Sequence, residues 1–220
     1  MQIFRTPFSV TNTANASKVY GSNKLLTQEQ KQAGIMHKLD MERAFLFGER
    51  KEDLSGSHPR RTTRGLLGFL NENVKDIGGA LTQSDFNLWL ADVFAHGSAK
   101  KMLLASPTVI AAIDGFAAGK LQTVSEAQAK YGIHVVRYIS SYGELNIVME
   151  RLFEGAVYGG YAVALDMKNI KYRPLNGRDT KLKTNIQAND EDGRRDEYIT
   201  EAGLEVRLPK THGVLTGVTG

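Results

Sequence analysis

The chain of 220 residues contains no cysteine, and that one absence removes disulfides, thiolate zinc sites, CxxC redox chemistry and cysteine nucleophiles together. No apolar run approaches the roughly 20 residues that a membrane-spanning helix needs. The opening MQIFRTPFSV also lacks the basic-then-apolar order of a secretory signal. A soluble protein made in the cytosol is expected, so the sequon Asn15-Ala16-Ser17 reads as a chance match. Charge of one sign is scarce too: 28 Lys and Arg against 24 Asp and Glu leave a net +4, spread along the chain. That is far from the dense basic block of a dedicated nucleic-acid binder. A chain of this length suits one domain, or one core with an inserted lobe, and can bury roughly 70% of its unfolded surface without a staple.

Catalytic signatures are missing as well. Gly115 to Leu121 invites a phosphate-loop reading, but one spacer residue is lacking and Leu121 stands where a magnesium-binding Ser or Thr belongs. A loop that short cannot wrap phosphates, and a helix end followed by a solvated Lys120 is the better reading. Asp190-Glu191-Asp192-Gly193 resembles half of a calcium loop, yet its alignment puts Ala188 and Ile199 at two essential oxygen-ligand positions. A hairpin tip of mixed charge fits it better. His37, His58, His96, His134 and His212 are scattered without a metal-binding spacing, and no GxSxG elbow occurs. No cofactor, metal or catalytic residue is expected, although a hydrolase site assembled only by the fold stays open as a third reading.

What is present is a pattern of helices and strands. Residues 1–21 are rich in Thr, Asn, Ser and Val and suit an extended arm with no evident core face. Ser22 can cap a long helix from about Asn23 to Phe47, terminated by Gly48. Ile35, Met36, Leu39, Leu46 and Phe47 share one side of it with Gln28, Gln32 and Arg43. Such an impure stripe fits an ordinary surface helix, or a helix lying along a broad sheet or a neighbour. Glu49 to Arg64 reads as an exposed charged loop. A second helix opens at Ser84 with Phe86, Trp89, Leu90, Val93 and Phe94 as a core stripe, and Ser106-Pro107 starts a third. From Gly132 the period becomes two, giving a hairpin through Met149, a strand over Tyr161 to Met167, one over Lys181 to Ile186, and one through Leu204, Val206 and Leu208. Helices first and strands later predict an α+β fold.

Several segments together resemble tailed-bacteriophage major capsid proteins: HKLDMERAFLFGER, TTRGLLGFL, FNLWLADVFAHG, YGIHVVRYISSYGELNIVMERLF and EAGLEVRLPKTHGVLTGV. The closing alternation before Pro209 and a final strand is the most telling of them. The resemblance implies the Hong Kong-97-like capsid fold, an L-shaped subunit with a peripheral lobe, a long spine helix and an axial lobe. By segment order, residues 1–21 would be an arm or the returning strand of the extended loop, and 22–80 the peripheral lobe with its spine helix. Residues 81–170 would then form the axial lobe, and 171–220 the return to the peripheral strands. Family members usually carry a longer N-terminal segment ahead of a stretch like QIFRTPFSV, so a core without its arm is expected, and with it no Lys to Asn weld between subunits.

Such a subunit would assemble with copies of itself, as hexamers and pentamers, into an icosahedral virion shell around double-stranded DNA, inside the host cytoplasm. Weak non-specific DNA contact and portal, scaffolding or decoration proteins are further expected partners, and no membrane is. Candidate subunit-interface residues are Arg50, Glu52, Arg60, Arg61, Arg64, Asp190, Asp192, Arg194 and Arg195, where opposite charges lie close together and suit register-fixing contacts. The alternative is a nucleic-acid-binding module using Arg60, Arg61, Arg64, Lys181 and Lys183.

Overall fold

The computed structural model describes residues 1–17, 25–56, 58–117, 121–123 and 136–219. Its elements begin with β1 (Gln2–Thr11), α1 (Asn12–Ala16), α2 (Leu25–Phe47), β2 (Glu52–Asp53), β3 (Arg60–Arg61), α3 (Leu66–Phe69), β4 (Val74–Ala80), α4 (Gln83–Phe94) and β5 (Lys100–Ala105). They continue with α5 (Pro107–Ala117), β6 (Leu121–Thr123), β7 (Val136–Ile139), β8 (Glu144–Met149), α6 (Gly155–Tyr158) and β9 (Ala162–Leu165). The last are β10 (Ile170–Pro174), β11 (Lys181–Lys183), β12 (Gly193–Val206) and β13 (Gly213–Thr219). Two compact units result: Met1–Gly68 with Tyr172–Glu205, and Phe69–Lys171 with Val206–Gly220. The stretch 171–220, read from the sequence as one returning segment, therefore divides after Glu205.

Unit 1 is organised on β12. Along it β1 runs antiparallel, from Gln2 opposite Ala202 to Thr11 opposite Gly193, and β10 and β11 are its other partners. The expectation that the first residues lack a core face is corrected, because Phe4 and Val10 are buried while Ile3 is exposed. Period-two geometry turns Gln2, Phe4, Thr6, Phe8 and Val10 to one side, and two of these five are polar, which hid the alternation. Phe4 meets Phe45 of α2 edge to face at 5.8 Å, and Phe8 lies 6.2 Å from Tyr198.

The face of α2 is corrected as well. It buries Ala33, His37 and Leu46, while Ile35 and Met36 are 60% and 50% exposed. The cause is His37, whose ring spans two strands: Nδ1 is 2.9 Å from the Thr6 hydroxyl of β1 and Nε2 is 2.7 Å from that of Thr200 on β12. Burying the histidine rotates the helix away from the stripe that hydrophobicity alone suggests. The proposed cap, Ser22 with Asn23, lies outside the described residues. Gly48 does terminate the helix, donating its N–H to the Ala44 carbonyl at 3.0 Å, and a Cβ there would stand 2.3 Å from that oxygen.

Unit 2 is a seven-stranded sheet in the order β4-β13-β9-β5-β8-β7-β6. It is mixed: β13 pairs β4, and β5 pairs β8, in parallel, and the other pairs are antiparallel. Phe86, Trp89, Leu90 and Val93 of α4 are buried with Val109 and Ile113 of α5 against Leu103, Leu145, Ile147 and Leu215 of the sheet. Each fully buried side chain of this kind stabilises by about 2 kcal/mol. The aromatic stripe read from the sequence is thus core.

The first residue of α4 is Gln83, and its cap is Thr82 where the sequence reading has Ser84 as the start. Thr82 Oγ1 accepts from the Asp85 N–H at 3.2 Å and donates to the Asp85 carboxylate at 2.6 Å, a reciprocal pair that Ser84, already inside the first turn, cannot make. Ser106 and Pro107 start α5 as predicted, Ser106 Oγ accepting from the Val109 N–H at 3.3 Å.

The helices-first order is corrected, since β1 precedes every helix and β4 and β5 flank α4. Those two strands, VKDIGGA and KKMLLA, were invisible because glycines and a lysine occupy positions where an alternating pattern needs apolar residues. The hairpin is present, with Val136 opposite Ile147 and Ile139 opposite Glu144, while its expected start at Gly132 to Val135, including His134, lies outside the described residues. Gly119 and Lys120 lie outside them too. Leu208 does not continue the strand that ends at Val206; it takes a left-handed conformation, φ +48°, and is exposed just before Pro209.

Candidate subunit interface

All the charged residues expected at an interface fall in unit 1. The loop after α2 is closed by the two-residue strands β2 and β3, in which Glu52 stands opposite Arg61 and Asp53 opposite Arg60. Arg61 Nε donates to Glu52 at 2.7 Å, so this cross-strand pair is satisfied within the chain. Arg64 turns back to the Gly68 carbonyl. Arg50 is exposed next to the loop, and the Arg60 guanidinium has no ion-pair partner among the described residues.

The second charged group is the tip between β11 and β12, residues 184–192. Asp190 and Glu191 are exposed and their carboxylates are unpaired among the described residues. Asp192 accepts from the Asn12 amide at 2.5 Å. Beyond the tip the charges turn inward: Arg194 Nε lies 3.1 Å from both oxygens of the buried Asp196. Glu197, also buried, is held by Arg5 at 2.6 Å and Lys183 at 3.7 Å. Lys181 donates to the Gly177 carbonyl at 2.7 Å. Of this run, Asp190, Glu191 and the exposed Arg195 face solvent, whereas Asp196 and Glu197 work inside the sheet.

A cleft of about 630 Å³ opens where the start of β1 meets β3 and β12. Three guanidiniums, Arg5, Arg60 and Arg61, line it with His58, against the single carboxylate of Glu201. Glu201 itself is held by Arg178 at 2.5 Å. Sequence reading singled out Arg60 and Arg61 but missed Arg5 and Glu201, which lie some 55 and 140 residues away and come together only by the β1–β12 register.

Unit 2 hides a different polar group. Lys101 projects from the core side of β5, 2% exposed, and donates to the carbonyls of His96 at 2.9 Å and Thr211 at 2.5 Å. Asp166 accepts from the N–H groups of Ser98 at 2.9 Å and Lys168 at 3.2 Å. The Asp166 N–H donates to His212 Nδ1 at 3.1 Å, so the ring proton sits on Nε2 and donates to the Arg207 carbonyl at 3.2 Å. Burial pushes the Lys101 ammonium and the His212 ring down. Burial pushes the Asp166 carboxyl up, but the Ser98 and Lys168 hydrogen bonds and the Lys101 charge outweigh it and hold it low. Every polar atom named has a partner, and nothing here is aimed at open space, which marks the group as a structural tie between β5, β9 and the turn before β13. Among the described residues no His, Asp and Glu side chains group as metal ligands would, and no helix is long and apolar enough to cross a membrane.

The fold agrees with what the chain is similar to. A family model described as SU10 major capsid protein matches residues 1–219. The chain belongs to that family. This capsid-family chain is 22% identical, over 245 aligned residues, to the major capsid protein of Pseudomonas phage PaMx41, covering 99% of itself and 58% of that relative. It therefore spans little more than half of the curated relative's length. Among solved structures it resembles the holo-SrpI encapsulin complex of Synechococcus elongatus PCC 7942, with a TM-score of 0.67 at 15% identity, covering 99% of this chain and 74% of that one. It equally resembles the capsid of cyanophage A-1(L), with a TM-score of 0.67 at 10% identity, covering 100% and 78%. These likenesses show the fold: it is the Hong Kong-97-like capsid fold, mixed helix and sheet.

Proposed function

We propose that the chain is a non-enzymatic shell subunit of a tailed phage, whose copies associate as rings of hexamers and pentamers into an icosahedral head around double-stranded DNA. The observation that carries this reading is the family match over residues 1–219. In it α2 serves as the spine helix, unit 1 as the peripheral lobe and unit 2 as the axial lobe. Many modest contacts closed into rings make a stable cage from individually weak interfaces, so no single strong site is required. Unit 1 has the surface for such contacts: charges on Arg60, Asp190 and Glu191 that are unpaired among the described residues, and exposed apolar side chains at Ile3, Ile35, Met36 and Leu54.

Size-exclusion chromatography with electron microscopy of the purified chain tests the reading. Hollow shells or capsomer rings are expected, and a persistent monomer at high concentration would sink it. Reversing Arg60, Arg61 and Arg64 to Glu is expected to impair assembly with only a small shift of the melting curve, because all three side chains are exposed and the Arg61–Glu52 pair that is lost lies at the surface. Normal shells from that variant would remove these arginines from the interface.

A further inference from the structure

The arginine cleft and the acidic tip occupy opposite ends of one strand pair. Glu201, at the cleft, lies opposite Ile3, whereas Gly193, where the tip enters β12, lies opposite Thr11. Eight residues of extended strand separate Glu201 from Gly193, and at about 3.3 Å each they span roughly 26 Å. Within one copy the two charged groups are out of each other's reach. Their charges are nonetheless complementary: in the cleft Arg5 and Arg61 are matched by Glu197 and Glu52, and Glu201 by Arg178, which leaves Arg60 in excess, whereas at the tip Asp190, Glu191 and Asp192 outnumber the exposed Arg195. Each end also keeps charge that its own chain leaves unpaired among the described residues, Arg60 at one and Asp190 with Glu191 at the other.

We propose that the acidic tip of one copy docks in the arginine cleft of the next, so that copies join head to tail along the β1–β12 direction. This rests on the shell-subunit reading and names the partner that its charged surface takes. A contact between two different patches of identical molecules is heterologous; it repeats from copy to copy and closes into a ring when the rotation per step allows. Arg60 meets Asp190 or Glu191 of the neighbour, while Arg61 and Arg5 stay with their internal carboxylates, Glu52 and Glu197, and leave Arg60 as the guanidinium that the cleft offers. The exposed tip enters a cleft whose lining includes Met1, Ile3 and Pro59, so the docked carboxylates lie against a partly apolar wall where a charge pair is screened less than in open solvent.

A charge swap in the full chain decides it, read as the concentration at which half of the protein assembles, with a melting curve for each variant. Four chains are compared: the natural one, Arg60→Glu, the double variant Asp190→Lys with Glu191→Lys, and all three substitutions together. Each reversal alone is expected to raise the assembly concentration about tenfold or more, and the combined chain to return within about threefold of the natural one. Local damage to the β2–β3 hairpin by Arg60→Glu would not be repaired from the tip, so recovery is specific to pairing. Natural assembly by either reversal alone, or a combined chain no better than its worse parent, overturns the proposal. If only Arg60→Glu is impaired, the cleft takes some other anion and the pairing is likewise overturned. Failure of the natural chain to assemble overturns the shell reading and the pairing with it, whereas natural assembly by all four chains removes the pairing alone.

Discussion

Lys101 is a charge set into the core face of a central strand, and its surroundings decide its worth. The side chain holds two carbonyls and balances Asp166. Replacing it by Met keeps the length and the apolar stem but strands a buried carboxylate, so Lys101→Met is expected to cost about 3 kcal/mol in urea denaturation. A loss near zero would show that Asp166 needs no counter-charge. His212 makes a second residue-level prediction. Its Nδ1 faces a donor, so a proton there would set N–H against N–H, beside the Lys101 charge. His37 differs, since both of its partners are hydroxyls that can turn to accept, and only burial, opposed by Asp40, lowers it.

Both rings titrate below the ordinary 6.5, so as pH falls through 6.5 the unfolded chain takes up protons before the folded one. Stability from these groups is complete above 6.5 and is lost progressively as pH drops below it, by up to about 1.4 kcal/mol per pH unit for each histidine. Asp166, held low, stays ionised in this window. Melting curves at pH 7.5 and 5.5 should show a smaller acid shift for His212→Gln than for the natural chain; equal shifts would place the titration elsewhere.

At the scale of elements, α4 rests on β13 with a close approach at Gly213. A Cβ on Gly213 would stand 2.4 Å from a Val93 methyl and 3.2 Å from Trp89 Nε1, and that indole already donates to the Asn73 carbonyl at 3.1 Å. Gly213→Ala must therefore push the helix off the strand and is expected to destabilise unit 2 by about 2 kcal/mol. Trp89 is the only tryptophan in the chain, so its fluorescence in denaturant reports this contact directly. An unchanged midpoint would mean that α4 shifts without loss of packing. The long helix α2 keeps its place by burying His37 with Ala33 and Leu46, which leaves Ile35 and Met36 outward.

On the scale of the whole molecule, the two units divide the labour of cohesion and contact. Unit 2 holds the large aromatic core, and unit 1 carries every charged candidate for association. If association runs through exposed charges, it weakens as screening grows. Raising salt from 0.15 M to 1 M shortens the Debye length from about 8 Å to about 3 Å, so the concentration needed for assembly should rise about tenfold. Light scattering across a salt series checks this. Assembly that strengthens with salt would instead assign the contacts to Ile3, Ile35, Met36 and Leu54.

The amino-acid order alone determined the long helix ending at Gly48, the core stripe Phe86-Trp89-Leu90-Val93, the start of α5 at Ser106-Pro107 and the β7–β8 hairpin, because each is written in local periodicity or capping within a few residues. It also carried the family, through the order of segments along the chain. Only the tertiary structure decided which face of α2 turns inward, that the strands VKDIGGA and KKMLLA exist, and that Arg5 and Glu201 join Arg60 at one cleft. Those outcomes depend on partners 31 to 192 residues apart, such as Thr6 with His37 and Arg5 with Glu197. A buried polar residue or a glycine looks like a surface residue until the partner that satisfies or crowds it is in place, and no short-range pattern encodes that partner.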